Sequence, residues 1–231
     1  MKIGISLDGV LRDLFGKIED THQKYFPSEE DEKIKIKDYD FDKWLHFPEE
    51  ETKQAELEFN PEFNEEKFLD EEQDLTFNNN VNKVTVEEFL YEKCTLEIFG
   101  YAGEEIHSAM ETLNQLIIEN PEHEFIIISR EIGMSIPSTF FFLSKTKCMC
   151  QNIKFVKDYE NVWPHVDVMI TDHPKVITSK PRGKICVKVT KEFNNLNIQS
   201  NIDIKSIKEI DKGFIQNLEN ILSKEKVVWV L

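Results

Sequence analysis

Three apolar runs in this chain end in residues able to do chemistry. Ser6 and Asp8 stand in Ile5-Ser6-Leu7-Asp8-Gly9-Val10-Leu11. Ser129 and Arg130 close Ile126-Ile127-Ile128-Ser129-Arg130, and Thr171 and Asp172 close Val168-Met169-Ile170-Thr171-Asp172. Hydroxyls and carboxylates at strand ends can bind a hard cation through oxygen or hydrogen-bond a phosphoryl group. Each also has a plainer use. Asp8-Gly9 fits a turn, Ser129 fits a helix N-cap, and Asp172-His173-Pro174 fits a cap followed by a turn. His165 and His173 stand singly, without the spacing of metal ligands, and receive no role.

These residues matter together only if a sheet brings them together. Residues 3–7, 125–129, 153–156, 166–171 and 185–189 are short apolar stretches rich in β-branched residues. The first, second and fourth are nearly continuous apolar runs, as strands covered on both faces must be. Helical spacing lies between several of them. Ile106, Met110, Leu113 and Ile117 precede the second strand, residues 137–147 follow it, and Ile207, Ile210, Phe214, Leu218 and Ile221 form a late stripe. Alternation of this kind predicts an α/β fold with an open, Rossmann-like parallel sheet and right-handed crossovers. Ligands of such sheets bind beyond the carboxyl ends of the strands, at the topological switch point. The apolar residues 226–231 are expected to add a sixth strand at the edge, or to dock on a partner.

Almost a hundred residues separate the first strand from the helix around Ile106, too many for a simple crossover. The expected division is a core of residues 1–12 and 100–231 with a mainly helical cap inserted at 13–99. Helix-compatible pieces fall at 13–25, 49–58 and 84–92, with a turn at Asn78-Asn79-Asn80. The insert's aromatics, among them Tyr39, Phe41, Trp44, Phe47, Phe59, Phe63, Phe68, Phe77 and Phe89, suffice for a small core of its own.

The first motif resembles that of the haloacid-dehalogenase-like superfamily, Asp-x-Asp-Gly-Val-Leu, with the leading aspartate replaced by Ser6. Ser129 matches the second-motif Ser/Thr and Asp172 a fourth-motif acid, while Thr171 stands where many members have another aspartate. The 5′(3′)-deoxyribonucleotidase-like branch, which also inserts a helical cap after the first strand, is the nearest in kind. The segment from Phe141-Phe142-Leu143 through Lys180-Pro181-Arg182-Gly183-Lys184 further resembles uncharacterised proteins of this type in tailed phages. That likeness implies an accessory or virion-associated role.

The resemblance implies that Asp8 and Asp172 hold magnesium and that Asp8 protonates a leaving group. Ser129, Arg130 and a third-motif lysine would bind the phosphoryl of a small phosphorylated molecule. Lys157 is the best-placed candidate for that lysine, with Lys145 and Lys147 behind it. In the family the leading aspartate attacks phosphorus and also ligates the metal. Ser6 can do neither well, because a hydroxyl needs a base or a metal to become a nucleophile and brings no charge to a hard cation. The expectation is therefore a phosphatase-like fold that is non-catalytic and works as a binding or structural protein, with magnesium binding weakened. The rival is a magnesium-dependent, nucleotidase-like phosphohydrolase.

Composition bounds the partners. Hydrophobic residues make up 40% and charged residues 31% of the 231, with a net charge of −16. An excess of that size disfavours nucleic acid, whose binding needs phosphate neutralisation. Residues 28–74 carry 19 Asp and Glu against 6 Lys, a net of −13. This is either a solvated face or a docking surface for a basic protein. No apolar run is long enough to cross a bilayer, and the first residues lack a secretory signal, so a cytoplasmic protein is expected (host cytoplasm or virion for a phage product). Cys94, Cys148, Cys150 and Cys186 show neither a disulfide framework nor paired zinc spacing.

Overall fold

A computed structural model describes residues 1–27, 33–47, 84–194 and 198–227. Its centre is a six-stranded sheet, every pairing parallel: β1 (Lys2–Ser6), β2 (Glu124–Ser129), β3 (Asn152–Phe155), β4 (Val168–Thr171), β5 (Ile185–Val189) and β6 (Ile202–Ile204). The order β3-β2-β1-β4-β5-β6 is that of a doubly wound α/β fold. From β1 the chain builds outward to β3, then returns to β1's other side for β4. The switch point thus lies between β1 and β4, with Ile5 opposite Ile127 on one side and Ile170 on the other.

The period of two along each strand divides the core into two layers. Ile3, Ile5, Phe125, Ile127, Val168, Ile170, Ile185 and Val187 face one layer with α4 (Ala109–Glu119), α5 (Ser135–Lys145) and α7 (Lys212–Val227), whose Met110, Leu113, Phe142, Leu218 and Leu222 pack there. Ile126, Ile128, Met169 and Cys186 face the other, against a 3₁₀ segment, Tyr159–His165, and the short α6 (Pro174–Thr178). Gly4 lies on this second side because a Cβ would come within 2.6 Å of Val166 Cγ1 and 2.7 Å of Met169 Sδ.

Between β1 and α4 the described residues form a second apolar cluster. It is built from Leu14 and Ile18 of α1 (Leu14–Tyr25), from Ile36, Leu45 and Phe47 around α2 (Phe41–Trp44), and from Phe89, Leu90, Ile98 and Phe99. Asp13 caps α1 by accepting from Gly16 N at 2.9 Å. A reciprocal capping box between Thr85 and Glu88 opens α3 (Val86–Glu88). Two π turns follow, Phe89–Lys93 and Leu96–Gly100, closed by Cys94 N on Phe89 O and Tyr101 N on Leu96 O, each 3.1 Å. The helix expected at 49–58 and the turn at Asn78–Asn80 lie outside the described residues.

One expectation is corrected. The sixth strand of the sheet is Ile202–Ile204, and residues 226 and 227 of the segment expected to supply it belong to α7, which runs to Val227; 228–231 lie outside the described residues. The reason is packing. Ile215, Leu218 and Leu222 keep a helical stripe on the core, and extending a formed helix adds one hydrogen bond for each residue fixed.

Candidate functional site

The parallel order brings the expected strand ends together. Ser6 ends β1, Ser129 ends β2 and Thr171 ends β4. Ser6 Oγ donates to Thr171 Oγ1 at 2.7 Å, and the same Thr171 oxygen accepts His173 N at 3.1 Å. Two neutral hydroxyls, bonded to one another, therefore occupy the centre of the switch point. Among the described residues, neither has a carboxylate or an imidazole as a hydrogen-bond partner to take its proton.

Asp8 is turned toward an arginine. Arg12 is fully buried; its Nε donates to Asp8 Oδ1 at 2.7 Å and its Nη2 reaches Glu131 Oε1 at 2.8 Å. Its Nη1 donates to Phe99 O at 3.0 Å and Thr139 Oγ1 at 2.6 Å, while the guanidinium lies 5.1 Å and 5.6 Å from the ring centroids of Phe99 and Phe142. Burial works to lower the pKa of Arg12, but the charges of Asp8 and Glu131 outweigh it and hold the cation charged. Burial pushes Glu131 upward against the pull of Arg12. Ser129 Oγ has one proton to give, and Glu131 Oε1 at 3.0 Å is a better acceptor than Asp8 Oδ2 at 3.4 Å. The hydroxyl expected to meet a phosphoryl is thus engaged by an internal acid.

Asp172 is shut from the other side. Tyr39 Oη lies 3.0 Å from Asp172 Oδ1 and 3.1 Å from Oδ2, and its hydroxyl donates to this carboxylate. Asp172 is 1% exposed. Burial raises its pKa to about 7, overcoming the opposite effects of Lys191 and the Tyr39 hydrogen bond. Asn194 Nδ2 holds the Asp172 carbonyl at 2.6 Å. His173 accepts Lys175 N on Nδ1 at 3.2 Å, stacks on Tyr159 at 3.5 Å, and is kept neutral by burial, with a pKa lowered to about 3.

Ser6, Asp8, Ser129 and Arg130 line one cleft with Tyr39, Tyr159 and His173. The free space among them is about 10 Å³, room for about one water. Lys157 is exposed and outside this lining; its backbone carbonyl accepts Arg130 Nε at 3.0 Å. Lys145 Nζ donates to Ala102 O at 3.0 Å, and Lys147 takes a left-handed turn at the end of α5, with φ 55°. Arg130 brings a cation to the cleft lining where Lys157 was expected.

Sequence reasoning missed Arg12, Glu131, Tyr39, Tyr159 and Lys191. Arg12 carried a signal, being a charge four residues after Asp8 directly behind the apolar Val10-Leu11. The residues present do not fit a magnesium centre. Magnesium is held through carboxylates in open octahedral geometry, whereas Ser6 brings no charge, Asp8 is paired with Arg12 and Asp172 is covered by Tyr39. Among the described residues no group of three or more His, Cys, Asp or Glu is placed to hold a metal ion. No helix among them is long and apolar enough to cross a membrane. No protein-family model matches the chain, and no curated protein matches it.

Proposed function

We propose that this chain is a phosphatase-like α/β protein that has lost phosphoryl transfer and serves as a binding or structural component. The Ser6–Thr171 hydroxyl pair carries the reading. A nucleophile at the head of β1 would have to be ionised, or have a base within reach, and this pair supplies neither. Arg12 supports it, because a guanidinium bound to Asp8 neutralises the acid that would protonate a leaving group. The acidic segment 28–74 and the apolar end of the chain are the contact surfaces, with a basic protein as partner; an accessory or virion-associated place suits such a role.

The test is a magnesium-supplemented screen of phosphate monoesters, deoxynucleotides included. The expected result is no turnover above buffer. Turnover that disappears in Asp8→Asn overturns the proposal and establishes a nucleotidase-like hydrolase in its place. Association with a basic partner should weaken as salt rises.

A further inference from the structure

Among the described residues, Tyr39 is the cleft-lining side chain that the insert contributes, and its surroundings are built to hold it. Its ring lies 4.8 Å from Phe15, 4.3 Å from His173, 5.7 Å from Phe193 and 6.1 Å from Tyr159, centroid to centroid. These rings come from α1, from the segment after β4, from the segment after β5 and from the 3₁₀ segment. Four separate parts of the chain thus converge on one phenol. Its hydroxyl ends on Asp172, a residue of the sheet's carboxyl edge.

The segment that delivers Tyr39 is held differently. Residues 33–39 and 45–47 carry no helix or strand. Ile36, Leu45 and Phe47 anchor the segment in the insert's own cluster, and Ile36 N donates to Glu19 at 2.7 Å. Asp38 braces the turn beyond Tyr39 by accepting Asp40 N at 2.9 Å and Trp44 Nε1 at 2.8 Å. These bonds stay within the insert, whereas the Tyr39 hydroxyl crosses to the sheet. Between these anchors the stretch around Tyr39 carries no helix or strand hydrogen-bond ladder, and such a stretch opens locally at lower free energy than the sheet.

We propose that residues 33–47 form a strap latched shut by the Tyr39–Asp172 hydrogen bond, so that the cleft at Ser6, Asp8 and Ser129 is occupied by the chain itself until the strap lifts. The phenol fills the space a ligand would take, and a ligand must displace it. Such a ligand would present a flat face to His173 and Tyr159 and a hydrogen-bond donor to Asp172. The latch stands on geometry, and it holds whether or not the cleft hydrolyses anything.

Ser6→Cys gives a reporter inside the cleft, close in shape to the native side chain. Its reaction with a small methanethiosulfonate reagent, located by mass spectrometry, measures how often the cleft opens. Cys186, fully buried in β5, reports global unfolding in the same sample. Adding Tyr39→Phe keeps the ring and removes only the latch bond. Loss of a hydrogen bond to a charged or partly charged acceptor should raise labelling at position 6 about tenfold or more, with Cys186 unchanged. Tyr39→Ala, which also empties the slot, should raise it further. Equal labelling with and without the Tyr39→Phe substitution overturns the latch, and so does a rise at position 6 matched by an equal rise at Cys186. The phosphate-ester screen has no bearing on either outcome.

Discussion

Arg12 and Asp8 meet at 2.7 Å with the guanidinium wholly out of water, and the same arginine reaches Glu131 at 2.8 Å. Two carboxylates therefore depend on one cation, Glu131 with its side chain wholly buried and Asp8 at the wall of the narrow cleft. Removing one member of a buried ionic group leaves the others uncompensated, which costs about 3–5 kcal/mol. Arg12→Met should lower unfolding stability by that order in urea titration. Combining it with Asp8→Asn and Glu131→Gln should recover most of the loss, since no charge is then left stranded. Recovery failing in the triple variant would mean that the arginine stabilises by packing on Phe99 and Phe142 instead.

Ser6→Asp tests the opposite manipulation. A carboxylate at the end of β1 would stand beside Thr171 and near Asp8, adding negative charge where only hydroxyls meet now. In the absence of divalent ions the variant should melt below the native protein. Because Arg12 still holds Asp8 and Tyr39 still covers Asp172, magnesium should leave that melting temperature unchanged. A concentration-dependent rise, the mark of a ligand binding only the folded state, would show that the missing charge at position 6 alone excludes the ion. The native chain should show no such response. Differential scanning calorimetry with and without magnesium chloride decides it.

Much of this site is legible in the residues alone, and the rest is not, for physical reasons. The apolar runs of residues 3–7 and those ending at Ser129 and Thr171 are local signals, and a parallel sheet leaves few ways to arrange them. That places Ser6, Asp8 and Ser129 in one cleft. Arg12 escapes because its burial is specified by Phe99, Glu131 and Thr139, which lie 87, 119 and 127 residues away in sequence. Tyr39 escapes because an aromatic in an acidic insert looks alike whether it packs at home or reaches the sheet. The sixth strand is three residues long with a charged centre, Asp203, too little for period-two patterning to show. Lys157 is singled out by its distance from Asp172 in sequence, yet it follows β3 at the sheet's outer edge, two strands from β1.

Asp172 gives the protein a pH dependence of unusual sign for an acid. Its ordinary value is 3.8, and burial lifts it to about 7 in the folded chain. Between about pH 4 and 7 the unfolded chain has released this proton while the folded chain keeps it. Stability contributed by this group therefore falls as pH rises through that window and levels off above it. Asp172→Asn removes the titration but can still accept from Tyr39. The variant should be flatter than the native protein across pH 5 to 8 and more stable at pH 8, as read from urea midpoints. A native profile that rises with pH in parallel with the variant's would show that Asp172 is ionised throughout.

Gly9, in the turn after β1, offers a way to disturb Asp172 without touching it. Its φ is +73°, a region costly for any residue with a side chain. A Cβ there would also collide with Asp172 Oδ2 and come within 2.5 Å of Asp172 Cγ. Both penalties act in the folded state only, so Gly9→Ala should destabilise by more than about 1 kcal/mol, the usual scale for a glycine in a compatible backbone. The carboxylate is closed in by Gly9, Tyr39 and the Asn194-bound backbone, so it has to move if alanine is accommodated. Movement away from Tyr39 breaks the latch bond, and Ser6→Cys labelling should rise more than labelling of Cys186 in the same sample. Adding Asp172→Ala to Gly9→Ala removes the collision while leaving the strained φ. If the double variant is no more stable than Gly9→Ala alone, the left-handed backbone carries the whole cost and the contact with Asp172 contributes nothing.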